Sequence, residues 1–478
     1  MKSAATNVAR RLAAFLAVIA VAACAACATV QPIDRFMLSS ERETVRLADG
    51  KGALSHAQSQ RILEDLKRRS PDSAILDRHI AVEEALAGSP LSVGNAATPL
   101  EDGKAAYAAM FKAIRAARHH IHMEMYIFED DEVGREFAKA LAQRARAGVK
   151  VRLIYDAVGS LHTRKGFFEE MEQAGIAVAV FNPPAPGLLK RGPVGAQARD
   201  HRKLLLVDGR VAFLGGINIS RVYGASSASR PGSGSGSGSG GGESFEERPW
   251  RDLQVRLEGP VVADLQKAFV AQWKKWKKED LPEAGLFPKL AKAGPHVVRA
   301  VASSPREEGA PDTLYLALIS AIESAESEVC ITNAYFVPHP QLMEALEAAA
   351  HRGVDVKLVL PGKTDNAMVF HAGRAHYEPL LEAGVKIFER KERLLHAKSA
   401  VIDGVWSTVG STNLDWRSLA YNDELNAVVL GPEFAGKMKA IFDKDVANSE
   451  AITPEKWARR PFMERVKETA AVNFSELL

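Results

Sequence analysis

The sequence predicts two similar α/β/α domains, each with a central mixed sheet, that meet about a pseudo-two-fold axis. Three observations predict this fold class. A polar motif occurs twice, and helical patterns alternate with strand patterns in each of the two repeats. The length of 478 residues suits two domains of about 150–200 residues. The hydrophobic content of 46% and the charged content of 25% are typical of globular proteins.

The duplicated motif lies in residues 198–220 and again in residues 395–415. Each copy carries His-x-Lys, an Asp five residues after the Lys, then Gly and Asn. Each of these five motif residues recurs 195 positions later. The pairs are His201 and His396, Lys203 and Lys398, Asp208 and Asp403, Gly215 and Gly410, and Asn218 and Asn413. Five matched positions within otherwise different sequences indicate an internal duplication.

These residue types suit chemistry on a phosphodiester. Residues two apart in an extended segment face the same side, so the His and the Lys of each motif share a face. Lys and Asn attract an anionic group, a neutral His can attack phosphorus, and a protonated His can donate a proton to the leaving oxygen. The apolar runs LLLV and AVI indicate buried strands, where an unpaired Lys is costly. A pair of surface strands with incidental charges is therefore the weaker interpretation.

The repeated His-x-Lys-x4-Asp motif with its trailing Gly and Asn resembles the phospholipase D superfamily. The flanking sequences RDHRKLLLVDGRVAFLGGINIS and LLHAKSAVIDGVWSTVGSTNLDWRS are similar to its bacterial cardiolipin synthase branch, and the resemblance extends from about Ala105 to the C-terminus. It implies a phospholipase D-like fold and phosphatidyl transfer through a phosphohistidine. The implied donor is phosphatidylglycerol or a similar lipid, the acceptor is a second lipid alcohol, and the product is cardiolipin.

The candidate catalytic set is His201, Lys203, Asp208, His396, Lys398 and Asp403. We expect His201 to be the nucleophile and His396 the general acid, although the pseudo-symmetry leaves the reverse assignment open. Asp208 and Asp403 precede Gly at a turn, and we interpret them as organising that turn rather than touching substrate. The phosphoryl oxygens would be held by Lys203, Lys398, Asn218 and Asn413.

Two further pairs of residues are predicted to support the site. Asp252 and Glu424 lie on matching strands, and the resemblance implies that such an acid accepts a hydrogen bond from a catalytic His ring. Glu124 and Asn333 occupy matching positions on another strand of each repeat, and both are polar. We therefore predict that these two side chains lie at the edge of the pocket. Ordinary strand-end charges are the alternative for the two acids.

A metal site is the alternative interpretation of the strand that contains Glu124. His120, His122 and Glu124 alternate along it, which is one way to arrange metal ligands. The matching strand of the second repeat, EVCITNAYF, has apolar residues opposite the two His. We therefore expect no metal here, and no cofactor.

The N-terminal residues 1–30 have the pattern of an export signal. Lys2, Arg10 and Arg11 precede an apolar run from Leu12 to Val30. The tetrapeptide VAAC resembles a bacterial lipobox, in which Cys24 would be lipidated, and an uncleaved membrane anchor is the alternative. Both interpretations place the catalytic domains at a membrane on the periplasmic side.

The rest of the chain divides into a helical lead-in at 31–97, a first domain at 98–281, a linker at 282–296 and a second domain at 297–478. Residues 90–99 are expected to form a loop. A Gly/Ser-rich insertion at 230–242 is predicted to be a flexible surface loop, with a mobile lid as the alternative. Trp273 and Trp276 lie among four Lys residues near a helix end, which fits either contact with an anionic membrane or packing on the domain.

Other functions remain open at this stage. A hydrolase would use water on the same phosphodiester with the same residues, and a lipid-binding protein would use none of them for chemistry. A nuclease is disfavoured, because the net charge is only +3 and the export signal separates the chain from nucleic acid. The predicted partners are therefore phospholipids, namely phosphatidylglycerol with phosphatidylethanolamine as an alternative second lipid, and a membrane surface.

Overall fold

The computed structural model describes residues 47–70, 89–183, 197–224, 248–304 and 313–474, together with the single positions 45, 75, 76 and 80. The predicted signal segment with Cys24 and the Gly/Ser-rich insertion at 230–242 lie outside the described residues. Within the described part of the chain, no helix is long and apolar enough to cross a membrane.

The first half of the chain contains nine strands and five helices among its described residues. They are β1 (Leu47–Asp49), β2 (Gly52–Ala53), α1 (His56–Arg68), β3 (Leu91–Glu101), α2 (Asp102–Ala116), β4 (His120–Met125), α3 (Glu132–Arg146), β5 (Lys150–Asp156), α4 (Lys165–Gln173), β6 (Ala177–Phe181), β7 (Lys203–Val207), β8 (Val211–Gly215), β9 (Leu253–Glu258) and α5 (Val261–Lys277).

The second half repeats this order of elements and adds helices at its end. They are β10 (His296–Ser303), α6 (Thr313–Ser324), β11 (Glu328–Thr332), α7 (Pro340–His351), β12 (Asp355–Pro361), α8 (Ala367–Arg374), α9 (Tyr377–Glu382), β13 (Lys386–Arg390), β14 (Ser399–Ile402), β15 (Trp406–Gly410), α10 (Trp416–Ala420), β16 (Glu424–Leu430), α11 (Pro432–Ala447), β17 (Ser449–Ile452), α12 (Pro454–Ala458) and α13 (Phe462–Val472).

Each half forms a mixed sheet with the same strand order. The first sheet runs β3-β9-β8-β7-β4-β5-β6, and the second runs β10-β16-β15-β14-β11-β12-β13, with β17 on its edge. In both sheets the last three strands of this order are parallel and the others are antiparallel. The predicted mixed sheets and their duplication are confirmed.

Strand β3 joins the two sheets. Its second half, from Ala96 to Glu101, pairs with β9, whereas Ser92, Val93 and Asn95 pair with β10 of the other half. The prediction of a loop over residues 90–99 is therefore wrong. That segment contains two prolines and few strand-forming residues, and it is fixed by pairing partners on both sides that local sequence does not reveal.

Two helices contribute to an apolar core that both halves share. Helices α5 and α11 share one apolar core with strands from both sheets. Trp273 of α5 is fully buried in that core, and the ring of Trp276 lies 4.3 Å from the ring of Phe181. Of the two interpretations of this helix, packing on the domain is confirmed for both Trp side chains, and a membrane contact through Trp273 is wrong because that side chain is fully buried.

Candidate active site

The two motif His residues lie at equivalent positions, immediately before β7 and β14. Strand β7 runs antiparallel to β4, and its first residue, Lys203, lies opposite Met125 at the end of β4. In the second half Ser399, the first residue of β14, lies opposite Thr332 at the end of β11. Both His residues are thus held at the carboxyl ends of the parallel strands, where ligand sites of α/β sheets form.

Each motif is held in place by the opposite half of the chain. The backbone N–H of His201 donates to the carbonyl of Asp423 at 2.9 Å, and the N–H of His396 donates to the carbonyl of Arg251 at 2.7 Å. Short parallel bridges continue the contact on both sides. These reciprocal bonds bring the two motifs into one site between the halves.

The acid next to each of those carbonyls contacts the His ring. Nδ1 of His201 lies 3.0 Å from Oε1 and 3.1 Å from Oε2 of Glu424, and Nδ1 of His396 lies 2.8 Å from Oδ2 of Asp252. Each carboxylate therefore comes from the half that does not supply the His. A carboxylate on Nδ1 fixes the ring tautomer and leaves Nε2 available for chemistry.

The motif Lys residues complete the site. Lys203 and Lys398 are buried, and each ammonium group donates to the backbone carbonyl of the His two residues before it. Burial is the main cause that lowers the pKa of Lys203 to about 7, with Glu424 opposing it. Burial likewise lowers the pKa of Lys398 to about 8, opposed by Asp252. An anionic group bound between the two Lys would favour their charged forms.

Burial also controls the His and Glu groups. It lowers the pKa of His201 well below the usual value, and the charges of Lys203 and Lys398 lower it further. The pKa of His396 is lowered mainly by burial, while Asp252 opposes that change. Burial raises the pKa of Glu424 to about 7. The site therefore favours a neutral imidazole at His201, which is the form that can attack phosphorus.

This geometry agrees with the comparison to known proteins. The family model described as cardiolipin synthase, PLD-like domain, matches residues 110–223 and 318–446, so both motifs fall within it. The chain belongs to this phospholipase D-like family. A cardiolipin synthase of Geobacillus kaustophilus is 33% identical over 392 residues, which cover 81% of this chain and 74% of that protein.

Other relatives support the same family. A cardiolipin synthase of Alkalihalophilus pseudofirmus is 31% identical over 92% of this chain and 83% of that protein. Cardiolipin synthase A of Pseudomonas aeruginosa is 36% identical over 77% of this chain and 70% of that protein. Among solved structures, a phosphatidylserine synthase of Haemophilus influenzae matches with a TM-score of 0.62 at 12% identity, covering 84% of this chain and 97% of that one. The last likeness shows a shared fold.

The motif aspartates of this phospholipase D-like domain lie at the far end of β7 and β14. Asp208 and Asp403 start the tight turns to the next strand with φ of 54° and 49°. The Asp208 carboxylate accepts hydrogen bonds from the backbone N–H groups of residues 118–120, and Asp403 accepts from those of residues 326–328. Both side chains therefore fix the start of a neighbouring strand, away from the catalytic edge.

The predicted amide groups have different surroundings. Oδ1 of Asn218 accepts from the N–H of Ile127 at 3.1 Å, and its Nδ2 donates to the Tyr223 hydroxyl at 2.9 Å. Oδ1 of Asn333 accepts from two backbone N–H groups, at 3.1 and 3.2 Å. Asn413 is buried, and its Oδ1 has no hydrogen-bond partner among the described residues. Asn218 and Asn333 therefore hold loops at the site.

Glu124 does not lie at the pocket edge as expected. Its side chain is fully buried on β4, the strand next to β7, and its Oε1 lies 3.7 Å from the Arg202 guanidinium. Burial raises the pKa of Glu124, while the charge of Arg202 opposes that rise. Nearby, His120 and His122 contact the side-chain amide of Gln266 at 3.2 and 2.7 Å. This layer supports β4 and β7 from below.

Sequence analysis missed Arg202, the residue between His201 and Lys203. Its buried guanidinium donates to the backbone carbonyl of Glu424 at 3.2 Å and to that of Ser303 at 3.2 Å. It therefore holds the backbone of the acid that pairs with His201. The second motif has Ala397 at this position, so a search for duplicated residues gives no signal for Arg202.

Proposed function

We propose that this protein is a phosphatidyltransferase that makes cardiolipin from phosphatidylglycerol and a second phospholipid. One observation carries the proposal: two His residues, each with a carboxylate on Nδ1 from the opposite half, meet beside two buried Lys in one site. Its membership of the cardiolipin synthase family supports phospholipids as substrates.

In the first step, Nε2 of His201 attacks the phosphorus of phosphatidylglycerol. A P–N bond forms, the P–O bond to the head-group glycerol breaks, and His396 gives its Nε2 proton to the departing oxygen. The lowered pKa of His201 supports its role as the neutral nucleophile. Burial lowers the pKa of His396, and the Asp252 carboxylate opposes that change and would stabilise the charged ring while His396 holds the proton.

In the second step, a hydroxyl of the second lipid replaces the departed glycerol. His396 takes the proton of that hydroxyl, the new P–O bond forms, and the P–N bond breaks to release His201. Lys203 and Lys398 offset the charge that develops on the phosphoryl oxygens, and the side-chain Nδ2 of Asn413 is a further candidate donor to them.

Restricted access of water favours transfer over hydrolysis. His201 and His396 are only 6% and 5% exposed. A phosphohistidine in such a site meets few water molecules, whereas a lipid hydroxyl can be placed by its own binding contacts. The acceptor lipid therefore competes well with water for the intermediate.

The protein acts at a membrane in this proposal, with its catalytic halves on the extracytoplasmic face. The basic start and apolar run of residues 1–30 support this placement, either by lipidation of Cys24 or by an uncleaved anchor. Permeabilising the outer membrane of cells should expose the protein to added protease. Full protection in such cells would contradict the placement.

The proposed reaction is tested by product analysis. Purified full-length protein is incubated with phosphatidylglycerol vesicles, and the products are followed by mass spectrometry. Cardiolipin and free glycerol in equal amounts are expected. Cardiolipin that forms only after phosphatidylethanolamine is added would assign a mixed pair of lipids, and phosphatidic acid as the sole product in every lipid mixture would replace the transferase with a hydrolase.

A further inference from the structure

Large apolar side chains that face water occur in a few segments of the described structure. Eight such side chains are strongly exposed. Two of them, Val158 and Leu161, follow β5; Met368 lies on α8; and four belong to α13 and the residues just after it. The eighth, Phe287, lies before β10. A gathering of exposed apolar groups of this kind marks an interaction surface.

Helix α13 presents most of this surface. Phe462, Met463 and Val466 are 76%, 60% and 43% exposed, and a rotation of about 100° per residue places them on one face of the helix, with Phe474 just past its end. The opposite face holds Ala471, which is buried in a small apolar cluster with residues of α8. The helix is thus fixed to the second half while its apolar face points to solvent.

Two of these segments border the active site. Tyr126 and Tyr335 lie at matching positions, with ring centres 4.9 Å from His201 and 6.2 Å from His396. The turn after β5 is bonded to the first of them, because Ser160 Oγ donates to the Tyr126 carbonyl at 3.2 Å. The hydroxyl of Tyr335 donates to Asp365, at 2.8 Å, just before α8. Val158 and Leu161 therefore lie near the side of His201, and Met368 lies near the side of His396.

We propose that these segments form an apolar rim that docks on a phospholipid bilayer and opens the site to its lipids. The rim consists of residues 157–161, the first turn of α8 and the exposed face of α13. This inference rests on the proposed function, because the substrate must leave a bilayer to reach His residues that are almost fully buried. An apolar rim seated among acyl chains lets the lipid pass without exposing those chains to water.

The position of the rim favours a bilayer over a second copy of the chain. A protein seated on the turn after β5 and on α8 would cover the residues beside Tyr126 and Tyr335, which border both His rings. A bilayer on the same surface delivers substrate to them. The apolar rim therefore suits a lipid surface better than a protein partner.

Hydrogen–deuterium exchange of the full chain tests docking directly. Vesicles of phosphatidylglycerol and phosphatidylcholine are added, and exchange is expected to slow in residues 157–161 and in α13 but not around Phe287. Unchanged exchange in α13 would overturn the proposal. Complete protection of α13 before lipid is added would also overturn it, because another part of the chain would then cover this surface. Protection that rises with protein concentration alone would overturn it as well, because a second copy of the chain would then be the partner.

A matched pair of variants tests the consequence for turnover. Phe462→Glu with Met463→Glu should reduce turnover on phosphatidylglycerol vesicles by about tenfold or more, since each side chain loses its apolar transfer into the bilayer. Turnover on monomeric short-chain phosphatidylglycerol should be unchanged, which also shows that the variant is folded. Phe287→Glu is the control and should affect neither substrate. Equal losses on both substrates, or the same loss in the control, would overturn the proposal.

Failure of the rim and failure of the proposed reaction give different results. If the wild-type protein produces no cardiolipin from either form of substrate, the reaction is wrong, while the exchange experiment still decides the docking surface. If cardiolipin forms equally well in the rim variant and the wild type on vesicles, the reaction stands and the rim is wrong.

Discussion

At the scale of single residues, the site depends on two His rings that act in one cycle. Because each ring has a separate task, His201→Ala and His396→Ala should each lower turnover by about 10²–10⁴ or more. A phosphatidyl adduct, trapped by alkaline quenching and detected by mass spectrometry, is expected only where His201 is present. Near wild-type turnover in either variant would contradict a single shared site.

The buried charges predict a narrow pH optimum. Glu424 must be ionised to orient His201, and burial raises its pKa to about 7, so kcat/KM should fall as the pH drops below that value. Lys203 and Lys398 must be protonated to hold the phosphoryl oxygens, and their pKa values are lowered to about 7 and about 8, so kcat/KM should also fall as the pH rises above them. The measurement is kcat/KM for a monomeric substrate across this range.

One variant tests whether the ionisation of Lys398 contributes to the fall of kcat/KM at high pH. Lys398→Arg should remove the upper of these two ionisations, so that kcat/KM falls less steeply above about pH 8, because a guanidinium group keeps its charge there, even if the maximum rate is lower. Lys274→Arg, on an exposed side chain of α5, should leave the profile unchanged. An alkaline limb that is equally steep in Lys398→Arg and in the wild type would remove this residue from the assignment.

At the scale of elements, the motif aspartates act on the fold. Asp208 gathers three backbone N–H groups that start β4, so Asp208→Ala should lower the free energy of unfolding by about 2–3 kcal/mol. The turnover of the protein that remains folded should be close to wild type. Asp443→Ala, at an exposed ion pair, is the control and should have little effect on stability. A large loss of turnover with normal stability would make Asp208 part of the chemistry.

The same elements show what sequence can and cannot predict. The spacing of His, Lys, Asp and Asn identifies the motif directly. Residues two apart on a strand share a face, and the same spacing occurs in both halves of the sequence. Arg202 has no duplicate, and β3 contains prolines, so neither carries a local signal. Asp252 and Glu424 each contact the His of the opposite half. This pairing depends on how the two sheets face each other, which the position of an acid on its strand does not specify.

At the scale of the whole molecule, the two halves are joined by reciprocal contacts. Strand β3 pairs with strands of both sheets, α5 and α11 share one core, and each His receives its acid from the other half. Beside the site, the buried Arg251 guanidinium forms two bonds with the Asp445 carboxylate, at 2.8 and 3.0 Å, which tie the first half to α11. Several buried polar groups of each half therefore have partners in the other half.

This coupling predicts that the described halves unfold together. Trp273 is buried in the first half and Trp406 in the second, so intrinsic fluorescence, far-UV circular dichroism and activity should change in one denaturant transition. Arg251→Ala leaves Asp445 short of a buried partner and should shift all three signals together by about 3–5 kcal/mol of unfolding free energy. Two separate transitions, or a shift confined to one signal, would contradict the unfolding of the two halves as one unit.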